Sequence, residues 1–248
     1  RPSPRFNPAW NLELFWADPE FSKHWIVQGD IWNGFLESKS IDINNWWCLQ
    51  YGLIQHIYDH ALSARIKHLP IVLAHSRKHA PSGSISALQF QLKQSSSTCA
   101  PLVLAVEFGL SLQWACPEQT LMSVIIPTRD HLSLLQACLH SIERFPAGCD
   151  LELIVVDNGS VNSNTLDFLE YFNQHRFHQV IRDEGPFNYS RLNNRAASSA
   201  SGSVLLLLNN DVEFLCPNWG RELAANALRP EIGCVGAQLL YPDGTIQH

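Results

Sequence analysis

Apolar and polar positions fall into blocks over the second half of this chain, and the blocks alternate between two periods. Met122–Thr128 (MSVIIPT) is a short, β-branched apolar run closed by a proline, the pattern of a buried strand. His131–Arg144 then sets apolar residues at 132, 134, 135, 138, 139 and 142, which is helical spacing. Leu151–Asp157 (LELIVVD) predicts a second strand, stopped by Asn158-Gly159-Ser160. Asn164–His175 predicts a helix with Leu166, Leu169 and Phe172 on one side, Gln179–Arg182 a short third strand, and Asn188–Ser201 a helix. Ser203–Leu208 (SVLLLL) is apolar after its first residue, as a strand covered on both faces should be. A helix is expected over Asn218–Leu228, ended by Arg229-Pro230, then a fifth strand over Cys234–Leu240 and a turn at Pro242-Asp243-Gly244. Strands alternating with helices place this part in the α/β class, with a doubly wound, mostly parallel sheet.

The first half reads differently. Six of the eight tryptophans (10, 16, 25, 32, 46 and 47) lie in the first 47 residues. Residues 80–100 are rich in Ser and Ala, and read as a linker with a short helix around Ile85–Lys93. The chain thus divides into an upstream segment, 1–82, a linker, 83–120, and the α/β part, 121–248. No short-period repeat is visible. The apolar stretches are short, Val204–Leu208 being five residues, whereas a bilayer span needs about 20. The chain opens on Arg1 without a secretory signal, and its single methionine is Met122, so a fragment or processed chain is expected.

Charge sharpens the division. Residues 1–117 hold nine Lys+Arg and eight Asp+Glu, whereas residues 118–248 hold eight Arg, no Lys and fifteen Asp+Glu. An acidic, lysine-free half lacks the dense positive charge that nucleic-acid phosphates require. A phosphate-bearing ligand would need a cation to bridge like charges. The seven cysteines are odd in number and form no C-x-x-C, which disfavours structural zinc or a disulfide framework and suits a reducing compartment.

In such sheets ligands bind at the carboxyl ends of the strands. The first strand ends in Pro127-Thr128-Arg129-Asp130, the second in Asp157-Asn158-Gly159-Ser160 and the fourth in Asn209-Asn210-Asp211-Val212-Glu213. No G-x-G-x-x-G follows the first strand and no G-x-x-x-x-G-K-[ST] occurs, which disfavours a dinucleotide site and excludes a P-loop. Asp211 either binds a hard divalent cation whose other positions hold diphosphate oxygens, or merely turns the chain. Asp157 either accepts a hydrogen bond from a base or ribose, or closes an Asx-turn in D-N-G-S. The pairs His56/His60 and His75/His79 have the spacing of two ligands on one helix face, but no Glu follows His56 to make H-E-x-x-H, and packing or surface roles are the alternative.

The phrases MSVIIPTRDHLSLLQACLHSI, LELIVVDNGS, GPFNYSRLNNRAASSASGSVLLLLNNDVEFL and VGAQLLYPDGTIQH closely resemble the start of a glycosyltransferase family 2 domain. The resemblance covers residues 121–248 and implies a GT-A-like fold. GPFNYSRLNN and LLYPDGTIQH look like the subgroup of O-antigen and rhamnan-type bacterial polysaccharide transferases. The resemblance implies that Pro127, Thr128 and Asp157 contact the nucleoside. It sets Asn209, Asn210 and Asp211 at the metal and diphosphate motif, with Asn209 in its first acidic position and Asp211 as the Mn²⁺ or Mg²⁺ ligand. Arg191, Asn193 and Asn194 stand where the family contacts nucleotide or braces the site, with a solvated surface charge as the alternative for Arg191. The implied reaction is inverting transfer from a nucleotide-diphosphate sugar to a glycan or lipid-linked acceptor, with the catalytic base expected beyond His248.

A second resemblance lies upstream. WNLELFWADPEF, NNWWCLQYGLIQHI and RIKHLPIVLAHSR look like the acceptor half of another domain of the same family, a partial α/β segment. The family's acidic pair stands here as Asn44-Asn45, with Asp42 out of register, so the upstream unit is expected to be degenerate or to bind sugar without transferring it. The competing reading for the whole chain is a non-catalytic glycan- or partner-binding module built on a transferase. A nucleotidyltransferase would share the layout, but lacks a Gly- and Lys-bearing loop after the first strand. The unpaired thiols and missing signal imply a cytoplasmic protein, with the inner membrane face as the place where lipid-linked acceptors are met.

Overall fold

The computed structural model describes residues 27–38, 45–60, 84–94, 101–106, 109–230 and 232–247, and the chain divides between Ala115 and Cys116 into two units. Trp10, Trp16, Trp25, Asp42, Asn44, the pair His75/His79 and the stretches 10–21 and 65–77 lie outside the described residues. The described elements of the first unit are helices α1 (Gly29–Ser38), α2 (Trp46–Asp59) and α3 (Ser84–Gln94) and strands β1 (Leu102–Val106) and β2 (Gly109–Gln113). α2 begins at Asn45, whose side-chain oxygen accepts from the backbone N–H of Trp47 at 3.0 Å and Cys48 at 3.3 Å, satisfying donors the first turn leaves unpaired. β1 and β2 pair antiparallel.

Within the stretch 83–120, the described residues carry the helix expected around Ile85–Lys93 and add buried side chains. Ala87, Leu88 and Leu92 of α3 and Val103 of β1 share one core with Phe35, Tyr51, Leu53, Ile54 and Ile57. Gln89 fastens the strand to the helix: its Nε2 donates to Pro101 O at 3.0 Å and its Oε1 accepts from Val103 N at 2.9 Å. Ile85, Phe90, Leu102 and Leu104 stay exposed beside this core, so only part of the stretch's apolar content is buried.

The second unit is the α/β part: β3 (Leu121–Thr128), α4 (Leu132–Arg144), β4 (Asp150–Asp157), α5 (Ser163–Phe172), β5 (His178–Arg182), α6 (Tyr189–Ala197), β6 (Val204–Leu207) and α7 (Trp219–Ala227). The four strands are parallel in the order β5-β4-β3-β6. β3 is central and its Met122, Val124, Ile125 and Ile126 are fully buried, as an apolar run between two helical layers should be. Ile125, Ile154 and Val156 pack against Leu192 and Ala196 of α6. The chain winds outward through β4 and β5, then returns to the other side of β3 to lay down β6. The strand order therefore reverses between β3 and β6, the place where open α/β sheets bind ligands.

Two expectations differ from the structure. β6 lies at the edge of the sheet, and its Leu205 and Leu207 remain 45% and 51% exposed instead of covered on both faces. They share a face with Ile125, but α6 packs over β3 and β4. The fifth strand is absent: Cys234–Leu240 has no ladder, and only an isolated bridge joins Leu240 to Ile246. This stretch has no neighbouring strand to satisfy its backbone, and Gly236 lies within it. The turn that follows is as expected, with Asp243 accepting from Thr245 N and Oγ1 and Gly244 at φ 83°.

The entry to β6 is a close backbone approach. A Cβ on Gly202 would lie 2.6 Å from Ser123 N and 2.8 Å from Leu121 O. Gly202→Ala should therefore cost about 1–3 kcal/mol of stability, the range for overpacking. Gly233→Ala, with nothing within 4 Å, should stay within about 0.5 kcal/mol. Urea denaturation of the two variants checks both values.

Candidate functional site

Strand register brings Thr128, Asp157 and Arg182 side by side at the carboxyl ends of β3, β4 and β5. Asp157 is 1% exposed. Its Oδ2 takes a charge-assisted bond from Arg182 Nη1, and its Oδ1 accepts from Ser160 N at 2.9 Å. Arg182 Nη2 also donates to Ser160 O at 3.1 Å, and its Nε to Glu184 at 3.2 Å. Of the two sequence-based alternatives for Asp157, the Asx-turn is present. Its carboxylate keeps spare acceptor sites, since each oxygen can take a second donor.

A second buried carboxylate lies next along the rim. Asp183 is 3% exposed and accepts from Gly185 N at 2.9 Å, while Arg191 and Arg195 of α6 approach it at 2.9 and 3.0 Å. Burial opposes its ionisation, but the Gly185 N–H and the Arg195 and Arg191 guanidiniums outweigh burial and hold the carboxyl below its usual 3.8. Arg191 Nη2 also donates to Pro186 O at 2.7 Å. Arg191 is an exposed charge whose guanidinium is nevertheless paired, bracing the loop after β5. Asn158 braces the same loop from β4, its Nδ2 donating to Asp183 O at 3.0 Å and Gly185 O at 2.9 Å. Asn193 is buried within α6 and donates to Tyr189 O at 2.8 Å, and Asn194 is exposed.

The turn from β3 to α4 is locked to the turn after β4. Asp130 and His131 both adopt left-handed backbone conformations, at φ 51° and 49°, which non-glycine residues rarely hold. Asp130 N donates to Ser160 Oγ at 2.7 Å, and Asp130 Oδ1 accepts from Val161 N at 3.0 Å and Asn162 N at 2.9 Å. The Asn162 and Val161 N–H groups lower the Asp130 carboxyl despite some burial.

Across the switch point, the chain leaving β6 carries Asn209, Asn210 and Asp211. Asn210 Nδ2 donates to Thr128 Oγ1 at 3.0 Å, joining the ends of β3 and β6. Pro127 is half-buried beside it in β3. Asn209 and Asp211 are exposed, and the Asp211 carboxylate has no hydrogen bond or ion pair among the described residues. Beneath this loop, Cys138 Sγ lies 3.9 Å from Asn209 O, and Ser141 Oγ accepts from Phe214 N at 3.0 Å. Burial, then the nearby charges of Asp211 and Glu213, push the Cys138 thiol up to about 12. Among the described residues no group of three or more His, Cys, Asp or Glu side chains is placed to hold a metal. The His56/His60 pair packs instead: the rings lie 4.2 Å apart, His60 Nδ1 faces His56 O at 2.8 Å, and His56 is buried against Phe35.

The structure thus gathers Thr128, Asp157 and Asn210 at one rim with Asp211 beside them, and places Arg191 in the brace behind it. Sequence reasoning missed Arg182, Asp183 and Arg195. Their only signal is that Arg182 and Asp183 follow the last apolar residue of β5, as Asp157 follows that of β4.

Residues 123–247 match the sequence model of the family described as Glycosyl transferase family 2. The chain is 45% identical over 164 residues to an uncharacterized protein of Sinorhizobium fredii, covering 65% of this chain and 18% of that protein. It is 42% identical over 130 residues to an O-antigen biosynthesis protein of Myxococcus xanthus, covering 51% of this chain and 10% of that one. The chain therefore spans less than a fifth of the length of either relative. Among solved structures, a mannosyltransferase of Pyrobaculum calidifontis in complex with GDP-Man and Mn²⁺ aligns over 48% of this chain and 37% of its own, at 18% identity and a TM-score of 0.41.

The ion pairs behind the rim make stability sensitive to acid. Asp183 has its folded value below 3.8, so its contribution is complete above about pH 4 and is lost as pH falls through the folded value. Unfolding temperature measured from pH 7 to pH 2.5 should drop in the wild-type protein below pH 4. In Asp183→Asn it should start lower at pH 7 and fall less steeply.

Proposed function

The chain belongs to glycosyl transferase family 2, and from that membership we propose that its second unit binds the nucleotide-diphosphate sugar donor of a bacterial surface-polysaccharide transferase. The observation that carries this reading is the join at the switch point of the sheet. There Asn210 holds Thr128, the buried Asp157 ends the next strand, and the unspent carboxylate of Asp211 faces outward. The acceptor is read as a glycan or a lipid-linked saccharide. No described helix is long and apolar enough to cross a membrane.

Thr128 and Asp157 mark the strand ends against which the nucleoside is read to lie, with the Asp157 carboxylate as the acceptor for a base or ribose donor. The braced loop Asp183–Pro186, held by Asn158 and Arg191, supplies a rigid wall. Asp211 suits a hard divalent cation such as Mn²⁺ or Mg²⁺, since it is an exposed oxygen donor with no competing partner, and such a cation completes its shell with phosphate and water oxygens. When bound, the cation would neutralise the diphosphate that leaves as the acceptor hydroxyl attacks the anomeric carbon with inversion. Asn209 and Asn210 flank that carboxylate without adding charge, which leaves room for an anionic leaving group. In the first unit, Asn45 is spent on capping α2, which supports reading the upstream segment as a unit that does not transfer sugar.

Titration of the whole chain with UDP, dTDP and GDP, each with and without Mn²⁺, tests the reading. One nucleotide should bind with manganese-dependent affinity. Asp211→Ala should cut that dependence at least about tenfold, since even outer-shell partners of metals carry that much. A folded protein that binds none of the three, or an Asp211→Ala variant with undiminished manganese dependence, would overturn the donor site or its metal ligand respectively.

A further inference from the structure

The loop that carries Asp211 is held from below by a helix that contributes nothing to the rim itself. Cys138 and Ser141 lie three residues apart on α4, one helical turn, and so share a face. Cys138 is fully buried and its protonated thiol points at Asn209 O, 3.9 Å away, two residues before Asp211. Ser141 is 4% exposed; its hydroxyl donates to Cys138 O at 2.6 Å and accepts from Phe214 N at 3.0 Å, three residues after Asp211. One turn of one helix therefore grips the loop on both sides of the carboxylate. Farther along, Phe214 stacks on Trp219 with centroids 3.6 Å apart, and Trp219 Nε1 donates to Phe145 O at 2.8 Å. That second anchor fixes the far end of the loop but does not reach Asn209.

We propose that Cys138 and Ser141 are positioning residues for Asp211, setting the direction of its carboxylate by clasping Asn209 and Phe214 to α4. The proposal rests on the donor-site reading of Asp211. The two side chains differ in weight. A thiol is a weak donor, so Cys138 acts chiefly by filling the space under Asn209, whereas the Ser141 hydroxyl makes a normal hydrogen bond to a backbone N–H. Neither residue lies at the strand ends Thr128 and Asp157, so their loss should be felt in the metal-dependent part of binding alone.

The test uses the full chain, Mn²⁺ and whichever of UDP, dTDP and GDP binds wild type most tightly. The quantity read is the ratio of nucleotide affinities with and without Mn²⁺. Ser141→Ala should lower that ratio about threefold to tenfold, the scale of one lost hydrogen bond, and leave manganese-free affinity unchanged. Ser141→Thr, which keeps the hydroxyl, should restore most of the ratio. Cys138→Val, which refills the space under Asn209, should hurt less than Cys138→Ala. A purely structural role would instead lower both affinities together with the unfolding temperature, and would overturn the proposal. So would an unchanged ratio in Ser141→Ala when Asp211→Ala abolishes it. If Asp211→Ala also leaves the ratio unchanged, or wild type shows no manganese dependence, the donor-site reading itself has failed and the positioning role falls with it. Should Ser141→Ala fail to fold, Cys138→Ala alone must show the selective drop.

Discussion

Burying a carboxylate at the end of β4 is the constraint on which the rest of the rim depends. Asp157 sits almost fully out of water, where an unpaired charge is prohibitively costly. The structure answers with the Ser160 N–H on one oxygen and Arg182 on the other. Supplying that arginine requires β5 to end one rung away, and Arg182 in turn holds Ser160 O. Ser160, fixed this way, offers its hydroxyl to Asp130 and stabilises two consecutive left-handed residues before α4. A single desolvated charge thus dictates the geometry of three strand ends and two turns. The same problem recurs at Asp183, which two arginines and a backbone N–H neutralise. Arginine suits both places, because its planar fork can bond a carboxylate and a carbonyl together, as Arg182 and Arg191 do. An acidic unit with eight arginines and no lysine is consistent with that use.

The sheet was legible in the sequence where both faces of a strand are buried. β3 and β4 carry the apolar runs Val124–Pro127 and Leu153–Val156, and each run closes on a buried polar rung, Thr128 or Asp157. β6 shares the apolar composition but lies at an edge, and composition does not distinguish an edge leucine from a core one. Helix ends shifted for local reasons. α6 stops at Ala197, not Ser201, because Ser198 and Ser199 turn their hydroxyls onto the carbonyls of Asn194 and Ala196. Cys234–Leu240 shows the limit of local pattern as a signal: a strand also needs a neighbour, and the sequence does not state whether one is there.

The candidate site divides along the same line. Thr128 and Asp157 stood out in the sequence because each ends a strand, and Asp211 because it lies in the loop just beyond β6. The pairing of Arg191 was not legible, because its partner Asp183 belongs to another element. Arg195, one turn later, gave no signal of its own. Ser141 and Cys138 were invisible for a further reason. They read as ordinary members of the apolar face of α4, and only their apposition to Asn209 and Phe214 distinguishes them. Periodicity reveals which face of a helix is buried, not what lies above it.

The charge distribution along the rim follows from these pairings and bears on how an anionic donor could bind. On the β5 side, Asp157, Asp183 and Glu184 are matched by Arg182, Arg191 and Arg195, so that side is neutral and rigid. On the β6 side, Asp211 and Glu213 have no ion pair among the described residues, and their charge is strong enough at close range to help keep the Cys138 thiol protonated. A diphosphate approaching the β6 side meets uncompensated negative charge and is repelled, whereas a nucleoside approaching the β5 side meets none. On the proposed reading, the two halves of a nucleotide-sugar donor would face opposite demands. The nucleoside can settle against a preformed, neutral wall. Arg182, Arg191 and Arg195 are committed to Asp157 and Asp183, so they leave the carboxylates of Asp211 and Glu213 uncompensated, and a divalent cation is the simplest way to seat a diphosphate beside them.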